Sequence, residues 1–352
     1  MSNLHERPGV YSVYDTSSVV SGGRAVRAIG VAAKAAKGTE DKPVTVTGWA
    51  AGVSAFGEDE TAGMSTLLRL LFQNGASTVT AVRVADTGMA EDYARAFAVL
   101  GREDVQVLVC DSGELAVQKA LRDAVAEASA LRHERIAVAG CEEAEVSDLV
   151  SRAAELNSER VALVGPDALD QAGKPLSGVF AAAAVAALAA AGGDPAAPLN
   201  GAELKGLTGL SRDYREEDID LLVRGGVTPL ECVGGTVSPV RGVTTRTKTG
   251  GAADQTWREL TTILIVDDVI PAVRSALRSR FSRSKNNARS RAAIRSQVIV
   301  ELEKKLAAEI IDGYDEVTVT ASPHDPAVCL VEFGFAVAHG LNQVHLAVHI
   351  EI

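Results

Sequence analysis

Val105-Gln106-Val107-Leu108-Val109-Cys110, a helical stretch over residues 114–133, and Arg135-Ile136-Ala137-Val138-Ala139 follow one another directly in the chain. Their reading decides the fold. Both short runs are of strand length, and the apolar residues in them do not alternate with charged ones. A strand that is apolar throughout is buried on both faces. Two such strands joined by a helix form a parallel crossover unit, with helices covering the sheet. The same alternation continues outward. Residues 90–100, 146–156 and 176–191 carry helical spacing, and Val161-Ala162-Leu163-Val164 is another apolar strand. The region is therefore expected to be a doubly wound α/β domain.

Upstream the pattern is more β-like. Pro8-Gly9 is a turn signal, and Val10-Tyr11-Ser12-Val13-Tyr14 is a short β-prone run ended by Gly22-Gly23. Strands are predicted over 25–33, 43–47 and 79–84, a loop at Ala55-Phe56-Gly57, and a helix over 64–73 stopped by Asn74-Gly75. Downstream, residues 194–235 are rich in Gly and Pro and read as a connection with one short helix over 215–224. A strand over 240–248 follows, then long helices over 257–281, kinked or split by Pro271, and over 288–311. Strands over 317–321, 327–338 and 344–352 close the chain. The expected organisation is an arm (1–22), a small β-rich domain (23–87), the α/β middle domain with its connection (88–235), an α+β domain (236–341) and a terminal strand (342–352).

That last strand is the cleanest alternation in the chain. Val344, Leu346, Val348, Ile350 and Ile352 share one face; His345, Ala347, His349 and Glu351 share the other. A lone strand satisfies neither its backbone groups nor its apolar face, so it must join a sheet of its own molecule or of a neighbour.

Composition excludes several classes. The chain has 352 residues, 47% hydrophobic and 23% charged, which is globular rather than disordered. Its net charge of −11 argues against a general nucleic-acid binder. The start is polar and lacks the apolar core of a signal peptide, and the Ala-rich run ending at Gly192 is too short to span a bilayer. Cys110, Cys141, Cys232 and Cys329 stand far apart in or beside apolar runs and read as reduced thiols. Synthesis in a reducing cytoplasm fits.

No catalytic or metal constellation stands out, and no cofactor is expected. Phosphate-loop, dinucleotide, zinc-protease and nucleophile-elbow motifs are absent. Asp267-Asp268 is read as a carboxylate pair complementing a helix start. His345 and His349 are about 13 Å apart along a strand, too far to share a metal ion. A hydrolase would need a Ser–His–Asp set, yet His133 is the only histidine in the α/β region and no Ser sits in an elbow.

One electrostatic feature departs from this background. Arg274, Arg278, Arg280, Arg283, Lys285, Arg289, Arg291 and Arg295 stand together with no acidic residue among them. Eight positive charges within a net charge of −11 leave the rest of the chain at about −19. Arg274/Arg278 and Arg291/Arg295 are like-charge pairs one helical turn apart, each costing a few tenths of a kcal/mol. The stretch is either a solvated charged face or the contact for an acidic partner. Nucleic acid is disfavoured because no aromatics are interleaved.

Taken in order, the segments resemble the contractile tail sheath family of bacteriophages and phage-tail-like bacteriocins. The resemblance rests on Arg7-Pro8-Gly9-Val10-Tyr11; on Ala28-Ile29-Gly30-Val31-Ala32 and Pro43-Val44; and on Phe56-Gly57, Leu71-Phe72-Gln73-Asn74-Gly75-Ala76 and Ala81-Val82-Arg83-Val84. It continues through Pro198-Leu199-Asn200, Leu204-Lys205-Gly206, Arg241-Gly242-Val243-Thr244-Thr245, Trp257-Arg258-Glu259-Leu260 and Val266-Asp267-Asp268-Val269-Ile270. It covers nearly the whole chain. The chain is short for the family, and the family's usual Gly near residues 282–285 is replaced by Ser282-Arg283-Ser284-Lys285.

The resemblance implies a non-enzymatic structural protomer with a subtilisin-like middle domain and a C-terminal domain lying against a tail tube. It implies that Val10, Tyr11, Val13 and Tyr14, and Val344, Leu346, Val348, Ile350 and Ile352, belong to arm strands exchanged between subunits. The implied partners are further copies in stacked hexameric rings, the tail tube protein, and baseplate and tail terminator proteins, with no direct nucleic-acid contact and no membrane insertion. The eight basic residues would face the tube. Contraction would drive the tube through a target envelope, to eject DNA in a phage or to act as a headless particle. The protein would be made in the bacterial host cytoplasm and end in the virion tail. The alternatives are an α/β hydrolase-like enzyme and another self-assembling tail or baseplate component.

Overall fold

The computed structural model describes residues 27–59 and 63–342. These divide into two compact units. The first holds residues 27–192, 197–261 and 339–342, and the second holds 193–196 and 262–338.

The first unit begins with β1 (Ile29–Ala33), β2 (Pro43–Val46), α1 (Trp49–Phe56), α2 (Met64–Gln73) and β3 (Val79–Arg83). It continues with α3 (Ala90–Leu100), β4 (Val107–Cys110), α4 (Leu115–Ala130), β5 (Ile136–Gly140), α5 (Val146–Leu156) and β6 (Val161–Gly165). Then come the short strands β7 (Ala168–Leu169) and β8 (Pro175–Leu176), α6 (Gly178–Ala191), β9 (Gly209–Leu210) and α7 (Glu216–Arg224). It ends with β10 (Val227–Val233), β11 (Thr236–Pro239), β12 (Lys248–Thr249) and β13 (Ala252–Ala253).

One eight-stranded sheet organises this unit, in the order β11-β10-β6-β5-β4-β1-β3-β2. The strands from β10 to β3 in that order are parallel, and β11 and β2 are antiparallel edges. β1, β4, β5 and β6 are buried along their whole length, which is why they read as unbroken apolar runs. Val82, Leu108, Ala137 and Leu163 pack with Phe97, Leu121, Leu149 and Leu222 of α3, α4, α5 and α7 on one face. α6 covers the other face, and α2 packs against α6. The winding reverses where the chain leaves β3, crosses β1 and enters β4, so the sheet is doubly wound.

Three expectations change here. β1, β2 and β3 are hydrogen-bonded into the same sheet as β4–β6, so residues 23–87 and the middle segment share one sheet and one core. β10 lies inside the supposed connection, while residues 240–248 make no continuous strand: Val243 forms an isolated bridge to Glu259, and Lys248 begins β12. Gly225-Gly226 and Pro229 disguised β10. Pro229 is tolerated because it sits at the end of the parallel pairing with β6. Ala55 and Phe56 are the end of α1 rather than loop.

α6 is Ala-rich because it is buried all round: every residue from Gly178 to Ala187 lies in the interior. Small side chains let it lie flush on the sheet. Among the described residues no helix is long and apolar enough to cross a membrane. Asn157 ends α5 in the left-handed conformation at φ 37°. From there its side-chain oxygen accepts the N–H groups of Thr247 and Lys248, both at 3.1 Å, and so holds the β12–β13 hairpin.

The second unit contains α8 (Leu260–Phe281) from Thr262 onward, α9 (Ala288–Ala307), β14 (Ile311–Tyr314), β15 (Thr318–Ala321), β16 (Cys329–Glu332) and β17 (Phe335–Val337). α8 continues through Pro271, which removes one intrahelical bond without splitting the helix. α9 stops at Ala307, short of the predicted 311, and residues 311–314 are strand. The predicted strand 327–338 is broken at Gly334 into β16 and β17. These strands form two separate antiparallel pairs, β14–β17 and β15–β16, and α9 packs on β14 and β15. Among the described residues neither pair has a third strand.

Candidate functional site: a basic elbow beside open strand pairs

Enzymes built on doubly wound sheets bind ligands outside the carboxyl ends of the strands, where the winding reverses. Here that position is filled. The Asp111 carboxylate accepts the Lys34 backbone N–H at 2.9 Å and the Tyr93 hydroxyl at 2.5 Å. Burial raises both the Asp111 carboxyl and the Tyr93 hydroxyl above their ordinary values. The nearby thiols are no better placed for chemistry: burial pushes Cys110 up to about 12, and burial beside Glu143 raises Cys141 further. No group of three or more His, Cys, Asp or Glu among the described residues could hold a metal ion. Asp268 is not at a helix start. It lies inside α8 and pairs with Lys305 of α9 at 2.7 Å, both side chains nearly buried. Asp268 is thus a packing feature of the two long helices.

The eight basic residues sort into two groups. Arg274 is half-buried and engaged. Arg280 donates to the Gln297 side chain, and Arg291 to Asn286 Oδ1 at 2.9 Å. Arg295 donates to the Val317 carbonyl at 2.7 Å and pairs with Glu316 at 3.7 Å. Local acceptors therefore offset the repulsion expected between Arg291 and Arg295. Arg278, Arg283, Lys285 and Arg289 are exposed, and among the described residues none makes an ion pair or side-chain hydrogen bond.

The turn between α8 and α9 presents this second group. Asn287 caps α9, its side chain accepting the Ser290 N–H at 2.9 Å. Asn286 Nδ2 donates to the carbonyls of Pro326 and Val328 at 2.8 and 3.1 Å, tying the elbow to the loop between β15 and β16. None of residues 282–287 adopts a positive φ, so the turn forms without the glycine that the resemblance led us to expect. Arg278 and Arg280, in the last turn of α8, complement the helix dipole. Arg289, in the first turn of α9, opposes it, and no acidic residue stands in that turn to compensate.

The predicted arm residues Val10, Tyr11, Val13, Tyr14, Val344, Leu346, Val348, Ile350 and Ile352 lie outside the described residues. Sequence reasoning did not anticipate that the C-terminal strands would form two incomplete pairs. Gly334, between Phe333 and Phe335, was the available signal for the break.

Comparison with known proteins places this geometry. The model of the phage tail sheath protein central domain matches residues 88–245, and that of the phage tail sheath C-terminal domain matches 252–351. A comparison with curated proteins gives no significant match. Among solved structures, the sheath tail protein of Desulfitobacterium hafniense superposes with a TM-score of 0.71 at 13% identity, covering 94% of this chain and 100% of that one. A chain of the anti-feeding prophage baseplate gives 0.75 at 15% identity, over 99% and 100%. The anti-feeding prophage helical sheath in its contracted state gives 0.71 at 17%, over 99% and 100%. These likenesses establish a shared mixed α/β fold with several sheets. With central and C-terminal models together spanning most of its length, the chain belongs to the phage tail sheath family, a family of structural proteins and not of enzymes.

Proposed function

We propose that the chain is the protomer of a contractile tail sheath, polymerising around a tail tube as stacked hexameric rings and contracting to drive the tube through a target envelope. Its first unit is a subtilisin-like scaffold without catalytic function. Its partners are further copies of itself, the tube protein and the baseplate and terminator proteins; it contacts neither DNA nor lipid. It is made in the host cytoplasm and incorporated into the tail. No nucleotide is required, because the driving energy is the difference between two packings of the same subunits.

The observation that carries this reading is the pair of two-stranded ribbons in the second unit. An isolated two-stranded ribbon is marginally stable in water. Among the described residues each ribbon has no third strand, and its edge backbone groups would be satisfied by an added one. The 344–352 segment has the required alternation, and a one-residue slip would turn its apolar face outward, so register is specified. Exchange of this strand and of the 10–14 run between copies would tether subunits while other interfaces repack. The elbow cations face the tube in the extended state and leave it on contraction.

Negative-stain microscopy of the purified full chain and of a chain truncated after Asn342 tests the proposal. Hollow striated tubes from the full chain and none from the truncation are expected. Tubes from both would refute strand donation, and a persistent monomer from the full chain would refute self-assembly.

A further inference from the structure

A second partnerless charged feature lies in the first unit. A cavity of about 190 Å³ opens between α7, β9 and the outer end of β10, lined by Leu210, Tyr214, Ile219, Leu230, Cys232 and Val233 with Asp213, Glu216 and Glu231. Small-molecule sites usually enclose ~300–1,000 Å³, so this one is on the scale of a single side chain. Its lining is apolar around Leu210, Ile219 and Leu230, with carboxylates interspersed. Asp213 and Glu216 are exposed and Glu231 is half-buried, and among the described residues none of the three side chains makes an ion pair or hydrogen bond. Glu216 has a local reason to be acidic, since it lies in the first turn of α7. Glu231 has none: it sits on β10 and lines a cavity whose exposed surface is mostly polar, with no ion pair or side-chain hydrogen bond among the described residues.

The chemistry that fits is a long aliphatic stem ending in a cation, the stem lying on the apolar lining and the head among the carboxylates. The same chain carries Arg278, Arg283, Lys285 and Arg289 on the elbow of the second unit, exposed and without an ion-pair or hydrogen-bond partner among the described residues. We infer that the cavity beside Glu231 receives a basic side chain from the α8–α9 elbow of a second copy of this chain. The inference rests on the sheath reading, which makes further copies the neighbours, and deepens it by naming a subunit-to-subunit contact. The elbow then has two acidic partners, the tube and a neighbouring protomer, and an assay without tube protein separates them.

The test uses the full chain without tube protein, comparing wild type, Glu216→Lys/Glu231→Lys, Arg283→Glu/Lys285→Glu, and the four substitutions combined. Charged pairs across interfaces couple strongly, so each double reversal should raise the concentration needed for assembly by about tenfold. Combining them should restore assembly to within about threefold of wild type. Circular dichroism and melting of the soluble protein confirm that each variant folds. Single reversals that assemble like wild type, or a combined variant no better than the worse parent, would overturn the inference. Zero-length carbodiimide coupling of mixed isotope-labelled and unlabelled wild-type protein provides a second readout that requires no variant. A crosslink between Lys285 of one copy and Asp213, Glu216 or Glu231 of another supports the contact, and its absence from coupled assemblies contradicts it. If elbow reversal abolishes assembly on the tube but leaves tube-free assembly and the crosslink pattern unchanged, the tube contact stands and this inference fails.

Discussion

At Gly140 the end of β5 meets the first turn of α6 so closely that an added methyl would stand 2.1 Å from the Gly178 carbonyl oxygen. Both sides of that contact are backbone, which cannot swing away as a side chain would. Gly140→Ala should therefore destabilise the protein by about 1–3 kcal/mol, the usual cost of overpacking, read as a fall in the melting temperature. Asp111 supports a pH prediction. Burial raises its folded-state carboxyl above the unfolded value of 3.8, against the opposing hydrogen bonds from Tyr93 and the Lys34 backbone. A raised value means that the group favours the folded state below the unfolded pKa, a contribution lost as pH rises through the folded pKa. Asp111→Asn removes this term, so the stability of wild type minus that of the variant should fall as pH rises from about 3 toward neutrality. Urea unfolding across that range measures it, and a wild type that gains on the variant as pH rises would contradict the assignment. Residues of this kind were not legible in advance. Nothing in Gly140 or Asp111 as letters tells which backbone or hydroxyl will approach them.

Elements were read with uneven success, for physical reasons. α3 and α5 lie at residues 90–100 and 146–156 as predicted, because a surface helix repeats its apolar residues with a period that strands and loops do not imitate. β4, β5 and β6 were legible as apolar runs of strand length. β10 was not, because glycines before it and Pro229 within it mimic a loop, while pairing with β6 and β11 overrides that local preference. α6 yields an element-scale prediction. Ala184 is fully buried in a helix enclosed on all sides, and α6 fits only because its side chains are small. Ala184→Leu keeps helix propensity but adds volume to a filled interior. It should cost about 1–3 kcal/mol, seen as a lower urea midpoint with an unchanged slope. An unchanged midpoint would mean that the helix has room beside it.

For the whole molecule the consequential feature is how charge is distributed. Of the eight clustered basic residues, Arg280, Arg291 and Arg295 are tied to neighbours in the second unit, so reversal should be aimed at Arg283, Lys285 and Arg289. Replacing these three by Glu should weaken assembly on tail tubes at low ionic strength while leaving the melting temperature of the free chain within about 2 °C of wild type, since exposed charges add little to stability. A screened pair is worth only about 0–1 kcal/mol, so the effect comes from repetition along the lattice. It should fade near 0.5 M salt, where screening already weakens the wild-type contact. Sedimentation with purified tubes measures it, and binding by the variant equal to wild type at low salt would exclude the elbow from the tube contact.

The sequence by itself determined the parallel α/β core, the long C-terminal helices, the clustering of positive charge and the resemblance to tail sheaths. These depend on periodicity, composition and order, which neighbouring residues in the chain express together. Only the tertiary structure decided that the first strands join the central sheet, that the described C-terminal strands form two separate ribbons, and which cations lack a partner among the described residues. Those outcomes depend on pairings across large separations, as between Ile29 and Val107 or Arg295 and Val317. A strand's letters specify that it must pair, and only the fold brings its partner within hydrogen-bonding reach.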